Sequence, residues 1–426
     1  MSLAMLIIFL ALMGLGAPIG VALGLGSIGA ILIFDKYPVL VVIHKTAATL
    51  DSYVLLAIPF FLLAGQLMNT GGITTRLLRF ASSLVGHIHG GLGHANIVAN
   101  MIMAGMSGSA VADAAGLGKV QIKAMTEEGY SAEFSAAVTA AAATIGPIIP
   151  PSIPMVLYGA MAEVSVGALF LGGFVPGVLL GIALMILVYM ISVRRKYPRK
   201  STFDLKEVWA SFKGAFLPLL SPAIIIGGIL GGIFTPTEAA VIATVYSFAL
   251  GFFVYKELHF EELIEELRSA TVTTATILLI IGVAGAFSWV LAVEGVPQGV
   301  SNYLLSATKS PVIILVALNV ILLIMGMFME SLSILVITVP FITPLVDAYG
   351  FNPVHIGVMV VLNLMIGLST PPVGLSLFVC AKIGNIKLEK LYREIVPFLY
   401  PLIIVLFLIA FIPSLVTFLP NLVLKR

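Results

Sequence analysis

Apolar runs of about twenty residues follow one another along this chain, separated by short polar connections, and that pattern predicts successive membrane-spanning helices. Met1–Phe34 carries no charged side chain. As one helix it would reach about 50 Å, more than the ~30 Å hydrocarbon core, so Pro18 among its glycines is expected to kink or divide it. Asp35–Asp51 reads as a polar connection and Tyr53–Met68 as a short span, while Thr70–Leu84, with Arg76 and Arg79, reads as an amphipathic surface helix. Further spans are expected at Leu169–Val193, 215–233, 236–255, Thr271–Val293 and Phe398–Leu419, with Lys256–Arg268 as an acidic amphipathic connection. Thr235-Pro-Thr-Glu238 has the form of a helix N-terminus, which makes Glu238 structural.

Two stretches break this pattern. Thr144–Pro154 holds Gly146 and prolines at 147, 150, 151 and 154 inside an apolar run. Each proline removes a backbone donor and clashes one turn back, so no continuous helix passes through it. Non-helical backbone at membrane depth is tolerated where it is buried in protein or lines a cavity. The pattern returns in Ile366–Leu375: Gly146 and Gly367, Pro150 and Pro371, Pro151 and Pro372 each stand 221 residues apart. The same offset pairs Gly105-Met106 with Gly326-Met327 and Val175-Pro176 with Val396-Pro397, which marks an internal duplication. Before each broken helix lies a second interruption, Gly105–Asp113 and Gly326–Ser333, whose small residues suit a re-entrant hairpin tip or a close contact between ordinary helices.

Charge gives the two halves opposite orientations. Arg194–Lys213 is rich in Lys and Arg and is placed on the cytoplasmic side. Val164–Phe174 has no Lys or Arg, whereas its counterpart region carries Lys387, Lys390 and Arg393; conversely, Arg76 and Arg79 match the nearly uncharged Gly295–Ala307. The resulting fold class is an all-α polytopic membrane protein of two inverted-topology repeats with re-entrant hairpins and broken helices. Its divisions are 1–52 (N-terminal scaffold), 53–193 (first repeat), 194–214 (basic loop), 215–270 (linking spans) and 271–426 (second repeat). Composition agrees: of 426 residues, 60% are apolar and 10% charged, far below the charge of a soluble domain. A net charge of +2 gives no reason to expect a nucleic-acid partner, and the single Cys380 excludes an intramolecular disulfide. The first apolar run has no basic n-region and reads as a retained span rather than a cleaved signal.

Broken helices expose carbonyls that suit a hard cation such as Na⁺, and helix N-termini that suit an anion. Carbonyls near Gly146 and Gly367 with the hydroxyls of Ser107, Ser109 and Thr370 can supply the oxygens. Asp113 and Glu330 are acids in apolar surroundings, open to ion binding, proton relay, hairpin anchoring or plain exposure at an interface. His87, His89 and His94 sit in a Gly-rich turn and are not read as a metal site.

The Gly105–Asp113, Ile145–Pro154, Gly326–Ser333 and Ile366–Leu375 motifs, in this order, resemble the large DctM-like membrane subunit of TRAP (tripartite ATP-independent periplasmic) transporters. The resemblance covers essentially the whole chain. It implies a bacterial inner-membrane secondary transporter of the ion-transporter superfamily, with no enzyme activity. Such a protein is driven by Na⁺, works by an elevator mechanism, and takes up a sialic acid or C4-dicarboxylate from a periplasmic binding protein. It implies Na⁺ ligands at Ser107, Ser109, Gly146, Gly326, Gly367 and Thr370, with Asp113, Pro150, Pro151, Glu330, Pro371 and Pro372 as substrate or gating candidates. Ser107 and Ser109 are matched by Phe328 and Glu330, so the two ion sites should differ. A small four-span subunit is expected as a separate chain. The alternatives are a self-sufficient Na⁺/organic anion symporter, a passive channel, and an intramembrane hydrolase. The last would need Asp113 and Glu330 to meet, but Asp113 matches Ile334 in the repeat.

Overall fold

The computed structural model describes residues 1–199 and 202–424; the side chains of 105–107 lie outside that description. The described residues form helices throughout, and eight helices are long and apolar enough to cross a membrane. The first apolar run divides at Pro18 into α1 (Ser2–Gly14) and α2 (Ile19–Phe34), which pack on each other. The expected polar connection after it differs: Leu40–Leu50 is a helix, α3. Its apolar side lies on a later helix at Gly282 and Gly285, where Thr46, Thr49 and Leu50 occupy the space a side chain would need.

The first repeat then follows as α4 (Ala57–Thr70), α5 (Ile73–Val85), α6 (Gly91–Ser107), α7 (Ala110–Glu127), α8 (Ala132–Ala143), α9 (Ile153–Ala162) and α10 (Val166–Arg195). Next come α11 (Leu205–Leu230) and α12 (Pro236–Ala249). The basic loop is therefore shorter than expected, because Lys206 and Lys213 already belong to α11. At α12 the Thr235 hydroxyl and the Glu238 carboxylate form a reciprocal cap, the structural role expected for Glu238.

Helix α13 (Phe260–Val293) has 34 residues, about 51 Å. The acidic connection expected before it is its first turns, continuous with the span, because no Gly or Pro interrupts Phe260–Thr271. The second repeat is α14 (Val296–Ala307), α15 (Pro311–Phe328), α16 (Ser331–Tyr349), α17 (Pro353–Gly367), α18 (Leu375–Gly384), α19 (Leu388–Phe411) and α20 (Ser414–Val423). Shifted by 221 residues, α6 to α9 fall on α15 to α18 with boundaries differing by a few residues.

Ion pairs mark the two ends of the molecule. Near the start of α13, Arg76 meets Glu257 at 2.7 Å and Arg79 meets Glu207 at 2.9 Å. At its far end Lys36 lies 2.6 Å from Glu294, which is also 3.6 Å from the N-terminal amine. The Lys36 hydrogen bond holds the Glu294 carboxyl below its ordinary range, and the Lys36 ammonium is raised in return. Helix α5 is tied to one end of α13, while its counterpart α14 follows directly on the other. The repeats are inverted. The end with Arg76 and Arg79 also gathers Arg195, paired with Glu394, and Lys390, 3.6 Å from Glu133. Exposed pairs of this kind add little stability; here they report which segments share an end.

Candidate functional site

Each repeat brings a hairpin tip against a break. Between α8 and α9 the chain leaves helix geometry over Thr144–Ser152, and between α17 and α18 over Leu368–Gly374. Pro150 occupies the place of the donor to the Gly146 carbonyl, as Pro371 does for Gly367. In the second repeat the Thr370 N–H takes over, donating to the Gly367 carbonyl at 3.0 Å. The Pro150–Pro151 and Pro371–Pro372 bonds are both cis.

In the first repeat the hairpin turns at Gly108, which has φ +61°. A Cβ there would lie 3.0 Å from the Pro151 carbonyl oxygen, so tip and break are in close contact. Ser109 caps α7, accepting from the Ala112 N–H. One turn on, Asp113 is 1% exposed, and its carboxylate covers Gly146 so closely that a side chain at 146 would collide with it. The side chain of Ser107 lies outside the described residues.

The second repeat solves the same contact with backbone alone. Gly326 of α15 and Gly367 of α17 touch: a Cβ on Gly367 would stand 2.7 Å from the Gly326 Cα. The Gly374 N–H donates to the Met327 carbonyl at 3.1 Å, closing tip to break. Glu330 caps α16, accepting from the Ser333 N–H at 3.1 Å, and the Ser331 hydroxyl donates to it at the same distance. Thr370 is 5% exposed and donates to the Ile366 carbonyl at 2.7 Å. The halves are joined at their centre by Ser369, whose hydroxyl donates 2.9 Å to the Ala140 carbonyl of α8.

A cavity of about 610 Å³ lies between this unit and α13. The first turns of four helices reach its wall: Ser109–Val111 of α7, Ile153–Pro154 of α9, Ser331–Ser333 of α16 and Leu375 of α18. Each helix start is the positive end of a helix dipole, so four of them around one space favour an anion, although side-chain caps at Ser109, Ser152 and Glu330 already take one N–H at three of them. Glu330 is the only formally charged residue among the described lining residues, and it is committed to capping.

The structure thus gathers Ser109 and Glu330 at the cavity, Asp113 over Gly146, and Gly326 beside Gly367. Pro151 serves the tip contact of the first repeat. Pro150 lies elsewhere, in an apolar recess with Phe170 and Phe174. Pro371 is half-buried and Pro372 exposed, its carbonyl accepting from Tyr392. Asp113 and Glu330 sit on different hairpins. Among the described residues no group of three His, Cys, Asp or Glu side chains could hold a metal ion. Thr273 and Thr276 of α13 line the cavity and were not singled out from sequence. Their signal was the threonine-rich run Thr271–Thr276 inside an otherwise apolar span.

Inverted hairpins and broken helices around a central cavity define a membrane transporter architecture. Residues 6–415 match the model of the tripartite ATP-independent periplasmic transporter, DctM component. The chain belongs to this family. It is 44% identical over 414 residues to the sialic acid TRAP transporter large permease protein SiaM of Vibrio cholerae, covering 97% of each chain. To the sialic acid TRAP transporter permease protein SiaT of Haemophilus influenzae it is 41% identical over 98% of this chain and 68% of that protein. The C4-dicarboxylate TRAP transporter large permease protein DctM of Pseudomonas aeruginosa is also 41% identical, over 94% of each. Among solved structures, the Alcanivorax borkumensis YdaH transporter superposes with a TM-score of 0.57 at 15% identity, over 87% of this chain and 86% of that one. That likeness supports the fold. The chain is a multi-pass membrane protein and a TRAP transporter large permease.

Proposed function

We propose that this permease carries out Na⁺-coupled uptake of an organic acid anion across the bacterial inner membrane, its basic end facing the cytoplasm. The anion is of the sialic acid or C4-dicarboxylate class and is delivered by a periplasmic binding protein; a small four-span membrane subunit completes the complex. The convergence of four helix N-termini on one cavity carries the reading. Hydroxyls of Ser109, Thr273, Thr276, Ser331 and Ser333 add donors and acceptors around it, which suits a polyhydroxylated acid such as a sialic acid better than a small dicarboxylate.

Na⁺ is a coupling ion bound beside this cavity. In the first repeat the Ser109 hydroxyl, carbonyls near Gly146 and the Asp113 carboxylate offer a hard oxygen donor set. In the second repeat the donors are carbonyls around Gly326 and Gly367 and the Thr370 hydroxyl, with no carboxylate over the break among the described residues, so the two ion sites differ in charge. Movement is of the elevator type: the hairpins and broken helices shift as one body along α13. The test is uptake of labelled sialic acid and succinate into vesicles holding the complex, with and without an inward Na⁺ gradient. Uptake that ignores the gradient removes the coupling.

A further inference from the structure

A second cavity, of about 630 Å³, lies towards the Glu294 end of α13. Like the first, it has α13 on one wall and α9 and α16 on the other. Helices α9, α13 and α16 all run in the same direction from one cavity to the other. The first cavity meets Thr273 and Thr276 of α13, Ile153 of α9 and Ser331 of α16. The second meets Ser288 and Trp289, Met161 and Thr343 of the same three helices. Between them α13 packs directly on α16. Thr276 and Ser288 stand twelve residues apart on α13, about 18 Å along the helix.

The one formally charged residue among the described lining residues differs in sign between the two cavities, Glu330 at the first and Lys45 of α3 at the second. The Lys45 Nζ lies 5.5 Å over the Trp289 ring, and no carboxylate pairs with it among the described residues. No carboxylate lines this cavity among the described residues; Asp51 and Glu163 stand close to it in the chain, and Glu294 is occupied by Lys36 and the N-terminal amine. Gln298 and the hydroxyls of Ser52 and Ser288 complete a surface that can take a carboxylate at Lys45 and a polar body beside it.

We propose that the Lys45–Trp289 cavity is the outer station on the substrate path. There the anion's carboxylate rests on the fixed helices α3 and α13 before the helix N-termini of the moving unit carry it about 18 Å along α13. This rests on the organic-anion transport reading above. Lys45 would be a specificity-determining residue on the scaffold, a single cation selecting for the charge of the cargo at the point of entry.

The test uses the complete complex in vesicles with saturating binding protein and labelled N-acetylneuraminic acid and succinate as probes. Lys45→Gln is expected to slow uptake about tenfold, Lys45→Arg to keep at least half the rate, and the half-saturating binding-protein concentration to stay within twofold. Uptake by Lys45→Gln at the unaltered rate would overturn the proposal. So would a loss confined to binding-protein saturation, which would make Lys45 a docking residue. Should Lys45→Gln fail to accumulate, Ser288→Cys on the intact Lys45 background decides. Its labelling by a maleimide should slow when the transported acid is added, and equal labelling with and without the acid rejects the station. If the unaltered complex takes up neither acid, the transport reading itself fails, an outcome separate from all of these.

Discussion

Glycine is required at 367 because a backbone, not a side chain, fills the space beside it. A methyl group there would meet the Gly326 Cα at 2.7 Å, and neither helix can yield without opening the hairpin contact. Gly367→Ala should therefore lower both melting temperature and transport, by about 1–3 kcal/mol of stability, as overpacking does; thermal unfolding in detergent measures it. Asp113 makes a different demand. Its carboxylate lies over Gly146 with 1% exposure, beside the break whose carbonyls form the proposed Na⁺ site. Asp113→Asn is expected to raise the Na⁺ concentration for half-maximal uptake at least tenfold with abundance within twofold. Thr370→Ala should do the same to a lesser degree. Equal loss of abundance and Na⁺ response would make either residue structural.

At the scale of elements, the breaks were legible because Gly and Pro act locally: a missing N–H disrupts a helix whatever surrounds it. Gly146 with Pro150 and Gly367 with Pro371 therefore announced both interruptions and their repetition. The hairpin tips were legible for the same reason, through Gly108 and the small residues around it. Helix α3 was not. His44, Lys45 and Asp51 made Asp35–Asp51 look like a connection, yet the segment is held by tertiary packing of Thr46, Thr49 and Leu50 on the bare backbone of Gly282 and Gly285. The continuity of α13 was hidden similarly, since its acidic first turns differ in composition from the Thr-, Val- and Ile-rich remainder, yet no Gly or Pro stands at the junction to end the helix. Gly285→Leu should drive α3 from α13 and lower the melting temperature by several degrees, while Gly299→Leu on α14, where nothing stands within 4 Å, should not.

For the whole molecule, inversion does what neither repeat can do alone. Each half carries two helix starts to the same place, and Ser369 bonded to Ala140 ties the second break to the last turn of α8, just before the first break. The sequence foretold the symmetry through matched Gly/Pro positions and unmatched Lys/Arg positions. It did not foretell the cavity, because Thr273, Thr276 and Ser331 meet only when α13 is laid across the hairpins. The most direct test of the account is uptake of labelled sialic acid and succinate into proteoliposomes under an inward Na⁺ gradient. The chain would be tested alone, with a small membrane subunit, and with both that subunit and a binding protein. The account predicts Na⁺-dependent uptake only in the complete mixture. Uptake by the chain alone, or uptake indifferent to Na⁺, would contradict it.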